Sequence, residues 1–175
     1  MNKQLPSDET ALKLLERAGC SKNVIDHCKA VAELATAIAD ACKRKGMKVD
    51  IDLVRIGALL HDIGRSKTHN VEHGIVGAQI AKDANLPEAV VSIIENHVGS
   101  GITKREAQSL GFPAKSYVPR SMEERIVAYA DKLIEGKRQV SIDVAVERFR
   151  RDKQISEDSV ERLKQWHEEL SACTP

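Results

Sequence analysis

Between Ser21 and Gly46 the apolar positions fall at Val24, Cys28, Val31, Ala35, Ile38 and Cys42. This 4-3-4-3-4 spacing lays them along one stripe of a long helix, with Ser21 as its cap and Gly46 beyond its end. The same period recurs along most of the chain, and the two-residue alternation of strands is absent, so the pattern predicts an all-α fold. A first helix runs from a Ser7 cap through Leu12, Leu14 and Leu15 to a stop at Gly19. Leu53 to His61, with Asp52 expected as cap, is apolar over most of its surface and therefore central. A helix from Glu72 to Ala84 carries Gly74, Gly77, Ala78 and Ala81, a small-residue face that permits close contact. Pro87 is expected at the first helical position of a fifth helix, which runs from Glu88 to His97 and stops at Gly99.

Thr103-Lys-Arg-Glu106 and Ser121-Met-Glu-Glu124 both match the capping box, in which the first and fourth side chains satisfy each other's backbone amides. Between them Gly111 to Arg120, with Pro113 and Pro119, reads as a surface loop long enough to border a pocket. The Ser121 helix turns Ile126, Val127, Ala130, Leu133 and Ile134 inward and brings Asp131 with them, with Arg138 about two helical turns further on. Ser141 and Ser156 begin two more amphipathic helices, the second holding Leu163, Trp166 and Leu170. No repeat or linker interrupts the pattern. Residues 1–175 are therefore expected to form one domain, with helices over 141–171 packed on a core spanning 26–138.

Composition narrows the classes. A chain of 175 residues with 42% hydrophobic content is long enough for one well-buried core. No apolar run approaches the roughly 20 residues that span a bilayer, and the N-terminus lacks a signal peptide, so no membrane partner and a cytoplasmic location are expected. A net charge of +1 argues against long nucleic acid held by bulk charge. Lys43, Arg44, Lys45 and Lys48 fall at a helix end, where cations complement the dipole. Cys20, Cys28, Cys42 and Cys173 show no CxxC spacing and read as reduced, structural thiols.

The chemistry concentrates in His27, His61, Asp62 and Asp131, with His73 and His97 between the outer members. Imidazoles and carboxylates carried by separate helices can converge on a divalent metal. Asp131 lies among Val127, Ala128, Ala130, Leu133 and Ile134, and a buried carboxylate is costly unless paired or metal-bound. Two plainer readings stand beside this one: a salt bridge from Asp131 to Arg138, and a solvent-exposed helix end at His61. His69 reads as a surface residue and His167 as structural. There is no P-loop, GxGxxG or Ser-His-Asp order to suggest other chemistry.

His27, Leu60-His61-Asp62-Ile63-Gly64-Arg65, His73, His97 and Ala130-Asp131-Lys132, in that order, resemble the HD superfamily of metal-dependent phosphohydrolases in its HDIG-containing subset. The resemblance implies a helical fold around a metal centre. His27, His61, Asp62 and Asp131 would hold one ion. His73 and His97 match the extra pair that binds a second ion, with Asp62 bridging. The cofactor is then divalent metal, two ions drawn from Fe, Mn, Zn, Ni, Co or Mg.

Glu95-Asn-His97-Val-Gly99 and the run from Ala130 to Arg138 are also similar to a subgroup that hydrolyses diadenosine tetraphosphate. Asn96-His97 and the lack of GYP depart from the cyclic-di-GMP phosphodiesterases. The function implied is hydrolysis of a nucleotide, dinucleoside polyphosphate or other small phosphoester through a metal-activated hydroxide. Asp62 and Arg65 are the catalytic candidates. Arg65, Arg138 and Lys132 are candidates for substrate phosphate, with Lys115 and Arg120 behind them. Two alternatives remain open: a di-iron oxygenase using the same ligand order, and a non-catalytic metal- and nucleotide-binding module. The expected partner is a small phosphorylated molecule, and an oligomer is left open.

Overall fold

Serine caps decide where several of the helices begin. In the computed structural model, which describes residues 4–152 and 156–173, α1 (Asp8–Ala18) and α2 (Lys22–Arg44) follow Ser7 and Ser21. Near the other end α8 (Ile142–Arg151) and α9 (Glu157–Ser171) follow Ser141 and Ser156. Each serine oxygen accepts from the backbone N–H three residues on, satisfying one of the orphan amides of a helix start. α6 (Lys104–Ser109) has the full capping box of Thr103 and Glu106. α7 (Met122–Lys132) has only half of its box: Ser121 accepts from Glu124 N, but the Glu124 carboxylate accepts from Asn96 Nδ2 and from the Arg120 amide. The second half is given up to tie α7 to the end of α5 (Glu88–Asn96).

Two expected starts differ. α3 (Ile51–Leu60) is capped by Asp50, whose carboxylate accepts from Leu53 N, while Asp52 pairs with Arg55 inside the first turn. Pro87 sits one place earlier than expected, as the cap of α5, because its ψ of 143° is extended rather than helical.

α3 is the hub, packed against α1, α2, α5 and α7, and so buries Val54, Ile56, Gly57, Ala58, Leu59 and Leu60. α4 (His73–Asp83) lies on α5 and on a 3-10 turn formed by Ile63–Ser66. α8 and α9 pair with each other, and α9 packs Leu163, Trp166 and Leu170 into the core beside α7. His167 on α9 shares a 2.7 Å hydrogen bond with the Tyr129 hydroxyl of α7, a structural role as expected. All four cysteines are free and buried. No helix among the described residues is long and apolar enough to cross a membrane.

The largest departure follows α7. The helix stops at Lys132 and the chain turns through a short antiparallel hairpin, β1 (Ile134–Glu135) and β2 (Arg138–Gln139). Gly136 makes the turn with φ +62°, a left-handed conformation that favours glycine. Arg138 is therefore an exposed strand residue, not a helical one two turns beyond Asp131.

Candidate metal centre

Five segments bring six side chains together. His27 comes from the first turns of α2, His61 and Asp62 from the end of α3, His73 from the start of α4, His97 from the end of α5, and Asp131 from the last turn of α7. Glycines permit the approach. A Cβ on Gly64 would stand 1.9 Å from the His73 carbonyl oxygen, so only glycine lets the turn after Asp62 press against α4. A Cβ on Gly74 would meet Val98 Cγ2 at 2.8 Å and the Glu95 carbonyl at 3.0 Å, which brings α4 onto the end of α5 and His73 to His97.

The cluster has two halves that share Asp62. On one side His27 Nε2 and His61 Nε2 stand 2.9 Å and 3.4 Å from Asp131 Oδ1, and 3.9 Å and 3.6 Å from Asp62 Oδ2. On the other side His73 Nε2 and His97 Nε2 are each 3.3 Å from Asp62 Oδ1 and 3.0 Å from one another. His27 and Asp131 retain a little exposure, whereas His61, Asp62, His73 and His97 are buried.

The second nitrogen of each ring fixes its tautomer. Nδ1 of His27, His61, His73 and His97 donates to the carbonyls of Gly136, Ala58, Asn70 and Ile94, at 2.9, 2.7, 2.7 and 2.7 Å. A carbonyl only accepts, so these four Nδ1 atoms carry the protons and the Nε2 lone pairs face inward. Nitrogen lone pairs and carboxylate oxygens then confront one another, an arrangement that calls for positive charge in the middle. Asp62 Oδ1 and His61 Nε2 are buried without a hydrogen-bond partner. Such atoms are expensive to leave unmade, and the donor set of imidazole nitrogen and carboxylate oxygen fits divalent metal.

Of the four rings, His61 is the one whose surroundings favour taking up a proton in that middle. Burial disfavours a charged His61, yet the carboxylates of Asp62 and Asp131 and the neighbouring Cys28 outweigh it and hold its pKa well above the usual value. Burial alone would raise Asp62, but His61, His73 and His97 hold it well below the ordinary carboxylate range. Asp131 is likewise lowered against its burial, by Lys132 and then by His61 and His27. His97 goes the other way: burial, with His61 and His73 adding to it, pushes it down to about 4 against the pull of Asp62. It is neutral at physiological pH and its lone pair is available.

Cations brace the two carboxylates from outside. Arg65 Nε donates to Asp62 Oδ2 at 2.7 Å, and Lys132 Nζ pairs with Asp131. Both line a cavity of about 1070 Å³ that opens beside His27, His73 and Asp131. His69 is exposed, as expected, but it too stands on this wall, and its carbonyl accepts from Arg65 Nη1 at 3.4 Å. Arg138 does not line the cavity, because the hairpin carries it outward, and it forms no salt bridge to Asp131. Lys115 pairs with Glu95 over the Tyr117 ring, and neither it nor Arg120 lines the cavity. The wall expected from Gly111 to Arg120 is supplied instead by Val98 to Leu110.

Sequence reasoning missed Arg105, Arg148 and Phe149, which also line the cavity. Arg148 Nη2 donates to the Lys132 carbonyl at 2.7 Å, binding α8 to the end of α7. Its only sequence signal is its place beside Phe149 at the rim of a strongly amphipathic helix.

An uncharacterized protein of Methanocaldococcus jannaschii is 47% identical over 163 residues, 93% of this chain and 96% of that one. The tRNA (cytidine(56)-2'-O)-methyltransferase of Thermoplasma volcanium is 43% identical over 169 residues. The match takes in 97% of this chain but only 48% of that enzyme, so the chain spans about half its length. Among solved structures, the HD domain of the L. monocytogenes phosphodiesterase PgpH in complex with cyclic-di-AMP superposes with a TM-score of 0.56 at 18% identity, over 90% of this chain and 92% of that one, a likeness of fold. Residues 24–136 match the HD domain, a span that runs from just before His27 to just after Asp131. The chain belongs to the HD domain family.

Proposed function

We propose that this chain is a metal-dependent phosphohydrolase of the HDIG-containing subset, acting on a nucleotide or another small phosphoester. The observation that carries this reading is the two-sided placement of the buried Asp62, whose Oδ2 faces His27 and His61 while Oδ1 faces His73 and His97. His27, His61, Asp62 and Asp131 would hold one divalent ion, and His73, His97 and the other oxygen of Asp62 a second. Ions so held supply Lewis acidity, which lowers the pKa of a water and neutralises charge on phosphate oxygens.

The chain's own groups do the rest. The four Nδ1–H···O=C bonds orient the rings before any ligand arrives, so little reorganisation is needed. Arg65 holds the Asp62 carboxylate in place, Lys132 keeps that of Asp131 ionised, and both cations line the cavity. The cavity admits a phosphate beside His27, His73 and Asp131 and offers room beyond for the group it carries. The helices from 141 to 171 belong to the same functional unit, since α8 and α9 supply part of the wall. The L. monocytogenes neighbour, a phosphodiesterase holding a cyclic dinucleotide, supports a nucleotide phosphoester as the substrate class.

The test is metal analysis of anaerobically purified, reconstituted protein, followed by phosphate-release assays across nucleotides and dinucleoside polyphosphates without oxygen. About two ions per chain and oxygen-independent turnover are expected. Substrate-dependent consumption of dioxygen without phosphate release would overturn the reading in favour of an oxygenase. Nucleotide binding with no turnover under any divalent metal would leave a binding module.

A further inference from the structure

Among the described residues, four lysine and arginine side chains line the cavity: Arg65, Lys132, Arg148 and Arg105. Three are committed, to Asp62, to Asp131 and to the Lys132 carbonyl. Arg105, on α6, is exposed, and its guanidinium has no ion-pair or hydrogen-bond partner among the described residues. α6 contributes no group to the His–Asp cluster, so this cation serves nothing in the centre already described.

Its setting is firmly built. Glu106, the next residue, accepts from the Thr103 amide and hydroxyl and from Ser156 Oγ at the start of α9, all at 2.7 Å. Arg162 of α9 donates to the carbonyls of Ser100 and Gly101 at 3.1 and 3.2 Å, and the buried Ser100 hydroxyl donates to the Ser159 carbonyl at 2.6 Å. The segment leading from His97 into α6 is thus anchored to α9. Arg105 is presented from a fixed helix, with the apolar side chains of Ile134 and Phe149 also on the cavity surface.

Size and charge then limit the ligand. At about 1070 Å³ the cavity stands at or above the upper end of the roughly 300–1,000 Å³ of small-molecule sites, more than one phosphate or one mononucleotide needs. Glu106, Asp152 and Asp158 share the wall with Arg105 and Arg148, so it is no basic track for a polynucleotide. With Glu106 taken up by Thr103 and Ser156, the guanidinium of Arg105 offers a place for one further anionic group on a short molecule.

We infer that the wall formed by α6 and α8 is a subsite for a second phosphate of the substrate, read by Arg105, so that the substrate is of dinucleotide size with two separated phosphates. This rests on the phosphohydrolase reading above.

The experiment compares three probes on manganese-loaded protein. They are p-nitrophenyl phosphate, a dinucleoside monophosphate, and the same dinucleotide with a 5'-terminal phosphate. The last two differ only in the second phosphate. Wild-type protein should prefer the phosphorylated dinucleotide, and Arg105→Ala should lower kcat/KM for it by about tenfold or more, the scale of one lost charged hydrogen bond, while leaving the other two probes unchanged. Arg105→Lys should recover part of the loss, because charge returns without the planar fork. Calorimetric titration with the two dinucleotides should show the same Arg105-dependent preference in Kd. Hydrolysis of p-nitrophenyl phosphate with no preference for the second phosphate would overturn the subsite and leave the hydrolase. An Arg105-dependent binding preference with no turnover of any probe would overturn the hydrolase and leave the subsite.

Discussion

The inner and outer halves of the cavity are built on opposite principles. At the inner end, six ionisable side chains are mostly buried, each ring is locked by a backbone carbonyl, and each carboxylate is braced by a cation. Every group there is held by another, so removing one strands its neighbours in a medium that solvates them poorly. At the outer end, Arg105 and Asp158 are exposed side chains on a wall held together by uncharged serines, a capping box and Arg162. Losses there should be selective and small. The lesson is that the centre and the selectivity of this molecule are separable: one is a coupled unit, the other a set of independent contacts on a rigid frame.

Asp62→Ala should have the largest effect. It deletes the one residue common to both halves and leaves the raised charge of His61 facing only Asp131. Metal content should fall to background and turnover with it, and the metal-free protein should lose on the order of 3–5 kcal/mol of stability in denaturant unfolding. Retained metal at full activity would dissolve the distinction between the two halves.

The next effect is on pH. The His61 pKa is raised in the folded chain, so the folded state binds a proton that the unfolded state releases above about 6.5. This stabilisation is complete below that value and is lost as pH rises through the folded pKa. Metal-free protein should therefore melt at progressively lower temperature as pH is raised above neutral, and saturating manganese should abolish the decline by replacing the proton. Metal uptake should release protons, measurable by titration in buffers of different ionisation enthalpy. A metal-free Tm that is flat across this range would show that the cluster is not held by the His61 proton.

Arg65→Ala lies between the halves. Its Nε is spent on Asp62, so its loss should weaken metal affinity by roughly 10–100-fold, as for other groups that orient metal ligands, with partial recovery in Arg65→Lys. An unchanged metal affinity with a reduced kcat/KM would move Arg65 to the phosphate instead. Arg162→Ala should be mildest at the centre. It removes donors to the Ser100 and Gly101 carbonyls, and should cost about 1–3 kcal/mol of stability while leaving metal stoichiometry unchanged. Loss of a metal ion in that variant would show that the outer frame and His97 are mechanically one.

The inner half was largely legible because its chemistry is written in residue types that an apolar core otherwise excludes. His27, His61, Asp62, His73, His97 and Asp131 were all named from the chain, and all six meet in one cluster. The outer half was not. Arg105 and Arg148 are ordinary cations on amphipathic helices, and nothing in their neighbours distinguishes a cavity wall from a solvated face. Arg138 shows the same limit from the other side, since the pattern beyond Asp131 reads as helix until Gly136 turns it into a hairpin.

What the sequence determined by itself was the helical period, most of the caps and the set of histidines and aspartates that could hold a metal, because each rests on contacts within a few residues or on the cost of burying a charge. Only the tertiary structure decided which oxygen of Asp62 faces which pair of histidines, that Glu124 turns from its own cap toward Asn96, and that α8 and α9 line the same cavity as His27, His73 and Asp131. These depend on contacts between residues far apart in the chain, such as His27 with Asp131 or Arg162 with Ser100, for which periodicity carries no information. Glycines such as Gly64 and Gly74 join the two levels: the chain specifies where a side chain is missing, and the fold uses the space to bring His73 within reach of Asp62 and His97.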